Sequence, residues 1–483
     1  MSNQNNQKKT SGSRTLRMGT YSLIMTAVVL AIAILANVLV SSLPIGMTMF
    51  DVTAAKRHSL SEQTLNIVKG LEKDITIYWL VKNGSEDANV STMLEQYDGL
   101  SDQIRVVRKD PELSPTFLEK YEVTNVENNT LIVESGERYR YLGSTDIYEY
   151  DFTNYYTTGA VDSNFAGELA VTSAIDYCIS ESLPKLYTLS GHGEADLSLE
   201  FQNAVKRENI EVEALSLASV QFVPADAAAI LVNAPGTDIT ADEKQKLQTY
   251  LNNGGNMLLL TDPLEAGTLT NLESVMAEYG VTVEPGIVVE GKQENYAWGN
   301  PLNLLPNMVY HAVTNPLRNN NYYVMLPIAH GLNVSESLPQ NLTVNTLLYT
   351  SDDAYNKADG YKMTTYSKEN GDLTGKFNLA VAIEKTLDDG LSSEILWISS
   401  AMLVDDEVNN QSSGGNGDFF LNSLNWVLEQ EESSFTIHTK STAYEYLSLN
   451  SSSATTFTVL VVGVIPVCYL IVGVVVLIRR KRQ

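Results

Sequence analysis

The chain has 483 residues, 44% of them hydrophobic, with 58 acidic side chains against 32 basic ones and a formal net charge of −26. That length and apolar content fit two or three domains with their own cores and exclude a disordered tail. The acidic balance excludes nucleic acid and anionic lipid as partners of the charged region, and two cysteines are too few for a disulfide framework.

Residues 1–20 form a basic tail with Lys8, Lys9, Arg14 and Arg17, followed by an uncharged apolar run over 21–43 in which Asn37 is the one amide. Near the other end, residues 457–478 form a second apolar run containing Pro466, followed by Arg479, Arg480, Lys481 and Arg482 in the tail 479–483. Each run is long enough to cross a hydrocarbon core of about 30 Å at about 1.5 Å per residue. No acidic residue precedes Asp51 or follows Ile478. The positive-inside bias therefore predicts two membrane spans with both termini cytoplasmic and the large middle region extracytoplasmic. If residues 21–43 were a cleaved signal peptide, the middle would still lie outside.

The middle divides into two α/β blocks. In the first, 51–164, Ser59 and Glu62 have the spacing of a capping box, and Leu65, Val68 and Leu71 share one helical face. A strand "DITIYWLV", a helix near Met93 to Leu100, a strand "QIRVVR", a short helix near Phe117 to Tyr121 and a hairpin about Ser135-Gly136 follow. This order resembles a small thioredoxin-like sheet without the Cys-x-x-Cys of a redox site. Residues 165–184 form an apolar-periodic bridging helix that holds Cys178 and ends at Pro184.

The second block, 185–432, alternates strand and helix: "KLYTL", a helix from Leu197, "IEVEALSL", "AAAILVN", "TADEKQKLQTYLNNGG", "NMLLLTDP", "NLESVMAEYG" and "VTVEPGIVV". Thr240 and Glu243 form another capping box, and Gly254 and Gly280 sit where helix C-termini favour positive φ. The alternation predicts a mostly parallel sheet covered on both faces. An excursion over 293–341 is expected to cap one end of it. Strands "KFNLAVAIE" and "SEILWISSAML" follow, then a last helix with Asp418 as its expected cap and Phe420, Leu424, Val427 and Leu428 on its buried face. A short polar stretch, 433–456, returns to the membrane.

The basic tail and span before "RHSLSEQTLNIVKGL", followed by "LSGHGEADL", "ADEKQKLQTYLNNGGNMLLLTDP" and "FFLNSLNWVLEQEE", resemble the gliding-motility-associated ABC-transporter auxiliary family of the GldG type over essentially the whole chain. The resemblance implies a membrane-anchored extracytoplasmic subunit that works with an ABC-2-type permease and its ATPase. It also implies that the second block is related to a domain of intraflagellar transport proteins and to the class I glutamine-amidotransferase-like fold.

Ser190 in "TLSGHGE" is not in a Gly-x-Ser-x-Gly elbow, Asn233 in "LVNAPG" is no nucleophile, and Cys178 lies in a different element. "GDLTGKF" at 371–377 is one residue short of a phosphate loop and has Phe where Ser or Thr is needed, so ATP hydrolysis belongs to another chain. "DDAYNKADG" at 352–360 lacks calcium-loop spacing. No two of His192, Glu194 and His311 share a metal-ligand spacing, so neither metal nor cofactor is expected.

The turn Ser190, Gly191, His192, Gly193, Glu194 has two readings. One is structural: the glycines make a tight strand-to-helix turn and Asp196 caps the next helix. The other is a ligand site at the carboxyl ends of parallel strands, joined by Asp262 after "NMLLLT" and by His311 in the excursion. Glu194 and Asp196 already place negative charge at that helix start, which favours a neutral polar, peptide or sugar ligand over phosphate. The expected function is thus a non-catalytic accessory or ligand-binding subunit. An extracytoplasmic hydrolase and a structural scaffold of an envelope complex are the alternatives.

Overall fold

The computed structural model describes residues 24–35, 37–38, 59–121, 123, 126–151, 162–387, 390–429, 440–441 and 459–482. The chain divides into two compact units, residues 1–149 with 165–440 and residues 150–164 with 441–483. The basic tail 1–20 and nearly all of 433–456 lie outside the described residues.

In the first block the elements run α1 Glu62–Lys69, β1 Ile75–Leu80, α2 Ala88–Leu100, β2 Ile104–Lys109, α3 Pro115–Glu119, β3 Thr130–Ser135, β4 Arg138–Leu142 and α4 Gly167–Ile179. The sheet order is β2-β1-β3-β4, with β1 and β2 parallel across the α2 crossover and β3 and β4 forming an antiparallel hairpin. Helix α4 packs on β3 and β4, and Ile77, Leu94, Tyr97, Val133 and Val171 are buried in the shared core. The cap of α1 is Ser61 rather than Ser59, its Oγ accepting from the Thr64 N–H at 3.2 Å. Starting the helix there lets the Thr64 hydroxyl donate to Glu168 of α4 at 2.8 Å, a tertiary bond that decides between two serines of equal capping propensity.

The second block runs β5 Lys185–Leu189, α5 Leu199–Arg207, β6 Glu211–Leu215, β7 Ala227–Asn233, α6 Ala241–Asn252, β8 Met257–Leu260, α7 Thr270–Glu278, β9 Val281–Glu284 and β10 Ile287–Val289. It continues with β11 Gly331–Val334, β12 Leu342–Tyr349, β13 Tyr355–Lys357, β14 Asn378–Thr386, β15 Ser392–Ile398 and α8 Gly415–Val427. The large sheet has the order β9-β11-β14-β15-β8-β7-β5-β6, with β12 also pairing with β14.

Strands β6, β5, β7, β8 and β15 are mutually parallel, whereas β14, β11 and β9 pair antiparallel. The sheet is therefore mixed rather than mostly parallel. Parallel neighbours need a crossover of about a dozen residues or more, and the short connection 387–391 between β14 and β15 permits only a hairpin. "VTVEPGIVV" likewise forms two strands in different sheets, because the chain breaks at Gly286 (φ 122°) and β10 pairs with β13. A Cβ at Gly286 would lie 2.4 Å from the Lys357 carbonyl oxygen, so only glycine fits that crossing.

Period-two alternation sends Leu231, Leu258, Leu260 and Leu396 to the face covered by α5 and α8. It sends Ile230, Val232, Leu259 and Trp397 to the face covered by α6 and α7. Two expected caps are corrected. Ser198, not Asp196, caps α5, its Oγ accepting from Phe201 N at 3.2 Å. Asp418 lies within the first turn of α8, behind Gly414 at φ 85°. The Thr240–Glu243 box and the positive φ of Gly254 and Gly280 are as expected.

At the C-terminal end, π-type turns over Val459–Val464 continue as the α-helix Ile465–Arg482, with Pro466, which has no N–H to donate, at the junction. Val461–Arg479 is long and apolar enough to cross a membrane. The described apolar helix of the first expected span is Ile24–Leu35, too short to cross by itself, and the rest of 21–43 is described only at residues 37–38.

The rings of Phe201 in α5 and Phe420 in α8 meet edge to face at 5.4 Å, joining both helices that cover one face of the sheet. Phe420→Ala is expected to cost about 3–5 kcal/mol in a denaturant titration, whereas Leu199→Ala, at a 76% exposed position, is expected to change stability by no more than about 0.5 kcal/mol.

Candidate functional site

The parallel half of the sheet places its first strand, β5, between its second, β6, and its third, β7. The chain leaves β5 to one side and returns past it to the other, so the winding direction reverses between β5 and β7. Open α/β sheets leave a crevice at the carboxyl ends of such a pair. At and just beyond those ends lie the 190–194 turn and Asn233-Ala234. A cavity of about 630 Å³ opens there, with Ser190, Gly191, Gly193, Glu194 and Asn233 in its wall.

The turn is bonded on every side. Gly191 and Gly193 take φ of 119° and 76°, which few other residues adopt. Ser190 donates from N and Oγ to the Leu215 carbonyl at 2.9 and 3.2 Å, tying the turn to β6. Ala195 N donates to the Asn233 carbonyl at 2.9 Å, and Asn233 Nδ2 donates to the Ala195 carbonyl at 2.8 Å. The His192 carbonyl accepts from Gly236 N, Thr237 N and Thr237 Oγ1 at 3.0, 2.9 and 3.1 Å. Asn233 Oδ1, on a side chain that is buried, has no hydrogen-bond partner among the described residues.

The His192 side chain turns inward rather than toward ligand space. Its Nδ1 lies 2.9 Å from Glu194 Oε1 and its Nε2 lies 3.1 Å from Glu243 Oε2. Glu194 Oε2 accepts from the His192 N–H at 2.7 Å, closing a two-residue loop. Glu243 Oε2 also accepts from Thr240 N and Oγ1 at 2.8 and 2.7 Å, so the capping box of α6 and the turn share one carboxylate. Both ring nitrogens face acceptors, and an imidazole can donate to both only when doubly protonated. Burial opposes that charge, but the hydrogen bonds and charges of Glu194 and Glu243 outweigh it and raise the His192 pKa. Glu243 is also buried, yet the Thr240 amide and hydroxyl and His192 hold its carboxyl below the ordinary range.

The other two expected positions are elsewhere. Asp262 lines a separate cavity of about 320 Å³ with Glu265, Glu273, His330, Tyr361 and Trp397. Its Oδ1 accepts from Ala401 N at 2.7 Å, and burial pushes its pKa up. The floor of that cavity is a relay in which Trp397 Nε1 donates to Thr261 Oγ1 at 2.8 Å and Thr261 Oγ1 lies 2.8 Å from His330 Nε2. Burial pushes the His330 pKa down to about 4, so its ring is neutral. His311 stands edge-on to Trp426 at 5.5 Å, and its Nδ1 accepts from Val313 N at 3.3 Å. Burial lowers its pKa. Neither Asp262 nor His311 lines the crevice at the 190–194 turn. Among the described residues, no three His, Cys, Asp or Glu side chains converge on a metal position.

Sequence reasoning missed Asn233 and Glu243 as members of the site. For Asn233 the signal was its place at the end of a strand. For Glu243 there was none, since its bond to His192 spans 51 residues.

Residues 183–423 match the family described as "ABC-type uncharacterized transport system", and residues 54–144 match a domain of unknown function. The second block is thus an auxiliary domain of an ABC-type transport system, and the chain carrying it is an auxiliary component of such a system. No curated protein sequence matches the chain. Among solved structures, the mmIFT52 N-terminal domain aligns at 14% identity and TM-score 0.38, covering 53% of this chain and 99% of its own. PurLQS from Thermotoga maritima aligns at 10% identity and TM-score 0.25, covering 51% and 100%. A Thermoplasma acidophilum protein described as a GMP synthase subunit aligns at 9% identity and TM-score 0.28, covering 52% and 96%. None of the three reaches a TM-score of 0.5, and none bears on what this chain binds or does.

A raised histidine pKa stabilises the fold fully below the unfolded value of about 6.5, and that stability is lost as pH climbs through the folded value. His192→Ala is expected to cost about 3–5 kcal/mol near pH 6 by leaving two carboxylates unpaired. His192→Gln is expected to melt below the wild type at that pH, with the gap narrowing as pH rises toward about 9. Unfolding midpoints of both proteins across that range check the sign.

Proposed function

We propose that the protein is a non-catalytic, extracytoplasmic accessory subunit of an ABC-2-type transporter, of the GldG type, that binds a neutral polar, peptide or sugar ligand outside and reports it to a permease and its ATPase. The observation that carries this reading is the crevice at the β5/β7 switch point, where a fixed turn and Asn233 line one cavity. A cavity with polar groups in a rigid wall suits recognition of a small polar or peptide ligand. The auxiliary domain over 183–423 supports the transporter context, and Val461–Arg479 supplies a helix for membrane anchoring. The first block is read as thioredoxin-like and the second as amidotransferase-like in fold, without the chemistry of either. The spans, both termini cytoplasmic in this reading, are too few to enclose a transport route and pack against the permease.

Three observations favour binding over hydrolysis. Ser190 Oγ is engaged with the Leu215 carbonyl, and both His192 ring nitrogens are engaged with carboxylates. The Cys178 thiol is buried in α4, donates to the Val133 carbonyl at 3.4 Å and is pushed up to about 11 by burial.

The full chain, purified in mild detergent, is expected to recover a permease and an ATPase by mass spectrometry and to remain unmodified by serine- and thiol-directed activity probes. A cysteine at the exposed position Asn253 is expected to react with a membrane-impermeant label on intact cells. His192-dependent labelling of Ser190 would favour the hydrolase reading, and recovery without any permease would favour the scaffold.

A further inference from the structure

We infer that the ligand is an extended peptide segment, alternating apolar and basic residues, that adds as a strand to the free edge of β6. This rests on the crevice reading above and names its ligand. Among the described residues β6 ends the large sheet, with β5 on one side and no strand on the other. The parallel ladder turns the backbone groups of alternate residues inward, as Glu211 N donating to Pro184 O and Leu215 O accepting from Ser190 N attest. The N–H and C=O groups of Val212 and Ala214 then point outward, a row that an incoming strand can satisfy.

The same two residues build the cavity. Val212 and Ala214 line it beside Lys206 of α5, with Asn233 at its far wall. Val212 is 47% exposed, so the apolar wall runs out to the edge itself. A strand laid on β6 would place alternate side chains over this apolar wall. The remaining side chains would fall on the opposite face, beside the exposed Glu211 and Glu213. Lys185 pairs with Glu213 at 3.0 Å and with Asp226 at 2.9 Å, which leaves the carboxylates of that face in excess. Charge complementarity therefore selects basic residues at the outward positions, while like charge disfavours a second copy of β6 as the partner.

Two features make the idea testable without unfolding the protein. Proline at 214 removes an outward N–H but leaves the ladder to β5 intact, and edge strands tolerate proline at such positions. A backbone-methylated peptide keeps its side chains but loses its donors. The probe is a capped hexapeptide alternating Lys and Val, added to the full chain in detergent and followed by hydrogen exchange.

Saturable protection of residues 211–215 of about tenfold is expected, lost in Ala214→Pro and absent with the methylated peptide. Unchanged binding to Ala214→Pro, or protection confined to other segments, would overturn the proposal. If the peptide leaves 211–215 unprotected while monosaccharides or free amino acids protect 188–197 in an Asn233-dependent way, the crevice stands and the peptide class falls. If no probe protects either segment, both readings fall.

Discussion

The second block is held at its crevice end by one imidazole ring between two carboxylates. His192 joins Glu194, two residues away in its own turn, to Glu243 at the start of α6. Without it, the end of β5 and the first turn of α6 would each present a buried carboxylate to the other, and like charges at such distances are costly in a low dielectric. The rest of the turn follows from this clamp. With the ring fixed inward, the His192 carbonyl is aimed at Gly236 and Thr237, and the two glycines must take positive φ to let the chain enter and leave. The β7 end is thereby drawn against the β5 end, and the cavity wall is set before any ligand arrives.

Much of the architecture was legible in the sequence because it depends on local signals. Strands 185–189 and 227–233 and the helix behind Thr240-x-x-Glu243 stand where the hydrophobic periods and the capping box put them. Where two capping residues compete, as with Ser59 and Ser61 or Asp196 and Ser198, local propensity does not decide, and a tertiary bond or the run of the apolar face does. Strand direction is less legible still. The runs at 378–386 and 392–398 read as strands, but only the short connection between them makes that pair antiparallel.

The site divides in the same way. Its backbone was visible, since glycines on either side of His192 after an alternating run point to a strand-to-helix turn. The direction of the His192 side chain was not, because its second partner comes from a helix 51 residues along. Asp262 and His311 looked like companions of the turn because each follows a strand or belongs to the covering excursion. The sheet is wide enough to hold two cavities at that end, and Asp262 serves the second with His330 and Trp397, while His311 packs on Trp426 of α8.

A binding subunit and a hydrolase make opposite demands on such a histidine. A general base needs a lone pair near its substrate and a pKa near the working pH, with one carboxylate at most to orient it. A second carboxylate on the other nitrogen engages the remaining ring position and favours the protonated form, which suits a strut. Under the proposed reading the cost of burying three ionisable groups is offset by the hydrogen bonds among them, and the return is a wall that does not move when a ligand enters. A strut that loosens as pH rises would then weaken ligand capture and fold stability together, because the group that orders the crevice is the group that joins β5 to α6.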